Sequence, residues 1–173
     1  MSMDLQDFLQ QGSGTEEEKI LAWNLFQQAY ESQQKGQLDE AVKLYKQSIA
    51  TSPSAEAYTF LGWTYSFMGQ LNEAIEECQR AINCDPDFGN PYNDIGAYLI
   101  ELNQLDEAIP WFEKAMNAKR YENPAFPHMN VGRVYEKKGD WEKAIEAYKQ
   151  ATTLDPEYSS AKRAMMRLIT LMN

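Results

Sequence analysis

Cysteine and histidine are scarce in this chain, where Cys78, Cys84 and His128 are all there is of either. The two cysteines stand six positions apart on a predicted helix. That spacing is about 240° around the axis, so they face different ways and a disulfide between them is not expected. No Cys-x-x-Cys and no Cys/His cluster has the ligand spacing of a metal site. No Cys, Ser or second His is placed to work with His128, so a packing or hydrogen-bonding role is expected for it. The glycines are single, and none forms a phosphate-cradling loop. Neither a cofactor nor a catalytic centre is expected.

Positive charge is short as well. Lys and Arg number 16 against 26 Asp and Glu, for a net charge of −10. Nucleic acid and anionic membrane surfaces need a basic face, so neither is an expected partner. The deficit is uneven: residues 1–86 hold 13 acidic and 5 basic side chains, and residues 87–173 hold 13 and 11. A basic or apolar protein partner fits this balance better than an acidic one. Long apolar runs are also missing, none approaching the roughly 20 residues that span a bilayer. Met1 to Gln11 carry Asp4 and Asp7 and no Lys or Arg, which argues against a secretory signal and for a cytoplasmic chain. What remains, 43% hydrophobic and 24% charged, is the composition of an ordered protein.

Taken in order, residues 1–14 read as a flexible tail. Leu5, Phe8 and Leu9 suit one apolar turn, and Gly12-Ser13-Gly14 separates it from the rest of the chain. The other reading of this stretch is a short helix docking on its own or another subunit. Thr15 with Glu18 then fits a capping box, opening a helix of about 20 residues that ends at Gly36. A second helix carries Leu38, Ala41, Tyr45 and Ser48 and stops at Pro53.

The layout recurs. Tyr58, Leu61, Gly62, Tyr65, Gly69, Ala74, Cys78, Ala81 and Pro86 form one unit. Tyr92, Ile95, Gly96, Leu99, Asn103, Ala108, Phe112 and Ala115 form the next. Val131, Gly132, Tyr135, Gly139, Ala144, Tyr148, Ala151 and Pro156 form the last. From Ala41 to Ala74, Ala108 and Ala144 the spacings are 33, 34 and 36 residues. The acidic pairs Asp39-Glu40 and Asp106-Glu107 recur at second-helix starts, where they complement the helix dipole. Pro91 and Pro127 sit in first turns, where proline costs little, while Pro110 lies deeper and predicts a local bend. Ser159, Ala161, Ala164, Met165, Leu168, Ile169 and Met172 make a last amphipathic helix, with Lys162, Arg163 and Arg167 on its polar face.

This pattern resembles the tetratricopeptide repeat, a helix-turn-helix unit of about 34 residues. The resemblance implies an all-α fold: a right-handed α-solenoid of four repeats, at about 22–54, 55–88, 89–122 and 125–158, in an array over 15–156. Residues 157–173 would then cap the last apolar face. The first repeat departs from the family pattern at Gln28-Ala29 and Ser32, and the third lacks the terminal proline.

The resemblance further implies that the first helix of each repeat lines a concave groove. Its groove positions hold Trp23, Phe26, Gln27 and Tyr30, then Phe60, Trp63 and Phe67, then Asn93, Asp94 and Ala97, then Phe126, Met129, Asn130 and Arg133. The expected site is therefore a groove with an aromatic half and a polar half, binding a partner peptide or helix. Asn93 and Asn130 would bond a peptide backbone and Arg133 a carboxylate. Trp23, Phe26, Phe60, Trp63 and Phe67 have the alternative of being core, with Trp23 and Phe26 packing under the N-terminal tail and Phe67 closing a turn.

The clamp with which some members of this family hold chaperone C-terminal carboxylates needs Lys, Asn and Arg at set groove positions. One frame here offers Phe26, Tyr30, Phe60, Asn90 and Asp94; the other offers Thr59, Trp63, Asp94, Phe126 and Asn130. Neither is a carboxylate clamp. A non-catalytic adaptor is the leading expectation. Its competitors are a chaperone like those of type III secretion translocators and a scaffold that self-associates through its end helices and tail.

Overall fold

The computed structural model describes Phe8 and residues 13–172, and the helices assigned among them number nine: α1 (Glu16–Gln34), α2 (Leu38–Thr51), α3 (Ala55–Phe67), α4 (Leu71–Cys84), α5 (Gly89–Glu101), α6 (Leu105–Asn117), α7 (Ala125–Lys137), α8 (Trp141–Leu154) and α9 (Ser159–Met172). No described residue is in a strand. Local chemistry starts them. Thr15 forms the capping box with Glu18 at the head of α1, Ser54 accepts from the Ala57 amide at the head of α3, and Asp140 accepts from Lys143 at the head of α8. Helix α6 runs through Pro110. No helix among the described residues is long and apolar enough to cross a membrane.

Each hairpin turns in the same way. Gly36, Gly69 and Gly139 have φ of 73°, 78° and 77°, and Asn103 takes their place in the third repeat with φ of 60°. The amide of the next residue donates back five positions: Gln37 to Ser32, Gln70 to Tyr65, Gln104 to Leu99 and Asp140 to Tyr135, at 2.8–2.9 Å. This left-handed C-terminal cap satisfies a helix-end carbonyl and redirects the chain into the second helix.

The chain divides into two compact units, Met1–Pro91 and Tyr92–Asn173. In the first, α1 packs on α2, α2 on α3 and α3 on α4. Ala22, Phe26, Ala29, Ala41, Tyr45, Ala57, Phe60 and Leu61 form its core together with Phe8, which is fully buried. Of the apolar residues expected in the tail, Leu5 and Leu9 lie outside the described residues. Phe8 lies 5.2 Å from the Trp23 ring and 5.9 Å from that of Phe26, and Trp23 stacks on Phe26 at 5.8 Å. Ser48 stands where the other repeats have alanine, and its hydroxyl donates to the Ala22 carbonyl at 2.7 Å.

In the second unit α6 packs on α7, α7 on α8, and α8 on α9. The close contacts are between a glycine and a ring. A Cβ placed on Gly96 would lie 2.6 Å from the Phe112 ring, and one on Gly132 would lie 2.3 Å from that of Tyr148. Helix α9 lays Ala161 against Ala125 and Ala151, and Leu168 against Ala144 and Tyr148.

Candidate interaction surfaces

The first unit has a pocket between α1 and α3. Tyr30, Gln33 and Gln34 occupy the last turns of α1, and Phe60, Trp63 and Phe67 recur on α3 at helical spacing, so each set shares a face. They enclose about 300 Å³. Tyr30 meets Phe60 edge-on at 5.7 Å, and Phe60 lies 5.0 Å from Trp63. Tyr30 is 38% exposed and Phe67 65%, while Phe60, at 5%, forms the floor. Below it, the Tyr45 hydroxyl donates to the Gln33 side-chain oxygen at 2.8 Å. Burial, and then the neighbouring Tyr30, push the Tyr45 phenol far above its ordinary range.

Phe26 does not reach this pocket. It is 3% exposed, wedged among Phe8, Trp23, Tyr45 and Phe60, and is core instead of contact surface. The physical reason is Phe8, which lies over the face that the repeat pattern leaves open.

The second unit is polar at the matching positions. The Asn130 amide donates to the Asn93 side-chain oxygen at 3.0 Å, and the Arg133 guanidinium donates to the Asn130 oxygen at 3.1 Å. The expected backbone-binding amides thus bond each other, and the row ends on an exposed guanidinium. Met129, Arg133, Glu136, Lys137, Tyr148, Ala164 and Arg167 line a cavity of about 280 Å³. Glu136 is committed inside it, accepting from the Tyr148 hydroxyl at 2.8 Å and from Arg167 at 2.6 Å. Phe126 is 39% exposed, with its ring 5.4 Å from Tyr158. Asp94 is only 8% exposed, too covered to present a carboxylate to a partner. Burial first, and then Asp94, push the nearby Tyr121 phenol upward.

Gln33, Gln34, Glu136, Lys137 and Arg167 belong to these surfaces but are absent from the groove set read from the sequence. The signal for four of them is positional. Tyr30, Gln33 and Gln34 in the first repeat stand where Arg133, Glu136 and Lys137 stand in the fourth, so one site is built twice with different chemistry.

His128 is half-buried, and burial lowers its pKa, which favours the neutral imidazole. Neither Cys78 nor Cys84 is in a disulfide, and the first is buried and the second exposed. Among the described residues no group of three or more His, Cys, Asp or Glu is arranged to hold a metal ion.

Three sequence models described as tetratricopeptide repeat match the chain, over residues 25–50, 55–88 and 87–157. The BBSome complex member BBS4 of Bos taurus is 24% identical over 139 residues, which are 80% of this chain and 26% of that protein. The mitochondrial import receptor subunit TOM70 of Rattus norvegicus is 26% identical over 132 residues, 75% of this chain and 21% of that protein. A structure from the functional characterization of Pseudomonas aeruginosa pilF has a TM-score of 0.83 at 20% identity, covering 91% of this chain and 71% of that one. At that identity the likeness speaks for the fold alone. The chain spans about a quarter or less of the length of the curated relatives it matches.

Proposed function

The chain belongs to the tetratricopeptide repeat family, with its all-α solenoid fold, and from that premise we propose that it is a non-catalytic interaction module that binds a peptide or helix of a partner protein on the groove face of its repeats. The observation that carries this reading is the pocket of Tyr30, Phe60, Trp63 and Phe67. A solvated helix face has little reason to gather four rings around an open cavity, and Phe67 at 65% exposed is held there without burial of its own. The names of the relatives point the same way, one a member of a complex and the other a receptor subunit. Asn93, Asn130 and Arg133 offer the second unit's contribution, an ordered row of polar groups for a peptide backbone or carboxylate, with Met129 and Phe126 as apolar neighbours.

Random-peptide display panned on the wild-type protein, with the enriched peptides then titrated against wild type, Trp63→Ala and Asn130→Ala, tests this. The enriched peptides should lose roughly thirtyfold in affinity, about 2 kcal/mol, on Trp63→Ala, and should weaken on Asn130→Ala. Peptides that bind all three proteins equally would overturn the groove assignment.

A further inference from the structure

We propose that the first unit's pocket is a cage for the ammonium group of a partner lysine, plain or methylated; this rests on the proposed function, in which the pocket receives a partner side chain. Its walls are the reason. Tyr30, Phe60, Trp63 and Phe67 are all aromatic, and among the described residues no aliphatic side chain joins them. A pocket for leucine or valine needs only apolar contact, which aliphatic walls supply equally well. Ring faces add a negative quadrupole potential that aliphatic walls lack, and this attracts cations within about 6 Å of a ring centroid.

The polar part of the lining suits the same occupant. Gln33 and Gln34 bring side-chain oxygens that accept hydrogen bonds from the N–H groups of a plain or partly methylated ammonium, while a trimethylated one, which has no N–H, keeps the attraction of the rings. The Gln33 oxygen already takes one bond from Tyr45, which fixes its position and leaves a second lone pair. Among the described residues no lysine or arginine lines the pocket.

The surrounding field has the matching sign. Residues 1–91 carry 14 acidic and 5 basic side chains, so this unit holds nearly all of the chain's net charge of −10. The unit's own cations are occupied. Lys35 pairs with Glu31, Lys43 with Glu40 and Arg80 with Glu76 and Glu77, while Lys46 lies 5.6 Å from the Tyr65 ring. Lys19 has an interaction of its own. An incoming cation therefore meets a negative surface whose internal neutralisation is spent.

The test compares two ligands of one shape. Nε-trimethyl-lysine and its tert-butyl carbon isostere, each in the same short neutral peptide, are titrated by calorimetry into the full chain at low and at high salt. The charged peptide should bind roughly threefold to thirtyfold more tightly than the isostere, with the gap narrowing as salt rises. Trp63→Ala should abolish both. Phe67→Ala, at an exposed ring that leaves the core intact, should weaken the charged peptide more than the neutral one. Equal affinities would overturn the lysine cage while leaving the pocket as an apolar binding surface. Binding of neither peptide, or binding that survives both substitutions, would overturn the cage and with it the assignment of this pocket.

Discussion

The Tyr148 hydroxyl donates to the Glu136 carboxylate at 2.8 Å, twelve positions back along the chain, and Tyr45 donates to Gln33 at the same distance and the same register. The first and fourth repeats thus close their hairpins with the same polar latch. The third has Phe112 and Ile100 at those places, and the second has Cys78 and Ser66. What differs between the two latches is charge, and that difference is measurable.

Glu136 lies below the ordinary glutamate range. Burial alone would push its pKa up, but the hydrogen bonds from Arg167 and Tyr148 and the charges of Arg167 and Arg133 outweigh it. The unfolded chain therefore takes up this proton first as pH falls. The stability that Glu136 contributes is complete above the unfolded value near 4.5 and is lost as pH drops through the lower folded value. Glu136→Gln should cost about 1 kcal/mol at neutral pH, a figure already reduced because Arg167 is half exposed. Thermal melts should show the wild type losing stability more steeply than Glu136→Gln between about pH 5 and about pH 3.

The first-repeat latch is neutral and has no such dependence. Tyr45→Phe strands the oxygen of Gln33, a residue only 7% exposed, and should cost roughly 1–3 kcal/mol. The loss, read by urea unfolding, should be the same at pH 5 and pH 8.

Gly69 isolates the conformational demand of the hairpin turn. Its φ is 78°, and a Cβ there would meet nothing within 4 Å, so Gly69→Ala introduces backbone strain without a clash. A cost of about 1 kcal/mol is expected. Asn103, with φ of 60°, already bears part of that strain. Asn103→Gly should therefore be neutral or stabilise by up to about 1 kcal/mol. Both are read as shifts of the urea midpoint at constant slope.

These turns, and the repeats they join, were legible in the sequence because residues of similar size return at matching positions in every unit, with a glycine or Asn103 at each turn. The surfaces were legible only in part. Whether Phe26 faces solvent depends on Phe8, eighteen positions upstream and outside any repeat. The pairing of Asn130 with Asn93 spans 37 residues, and the commitment of Glu136 depends on Arg167, 31 positions away. Periodicity reports which face of a helix a residue occupies. It does not report what lies on that face.

The helix contacts at the repeat glycines are not equivalent. A Cβ at Gly62 would meet the Ala74 carbonyl oxygen at 3.0 Å and the Cys78 sulfur at 3.3 Å, contacts that ask for a shift of only a few tenths of an ångström. At Gly132 it would sit 2.3 Å from the Tyr148 ring, whose hydroxyl is anchored on Glu136. Gly132→Ala should destabilise by about 1–3 kcal/mol, and Gly62→Ala by less than about 1 kcal/mol. Chemical denaturation of the two variants gives the ranking.

Phe8 has no exposed surface, and its neighbours are the rings of Trp23 and Phe26. Removing it takes away one aromatic side chain's burial and opens two more rings to water. Phe8→Ala should therefore cost roughly 2–3 kcal/mol. The geometry also gives it a spectroscopic mark: Trp23, which Phe8 contacts directly, gains water contact, so the native-state tryptophan emission should shift to longer wavelength before any unfolding. Phe67→Ala is the matched control, because that ring is 65% exposed and its loss should change stability by less than about 0.5 kcal/mol. A Phe8→Ala protein with unchanged emission and an unchanged urea midpoint would show that Phe8 contributes no packing, and the face of Trp23 and Phe26 would then be open in solution.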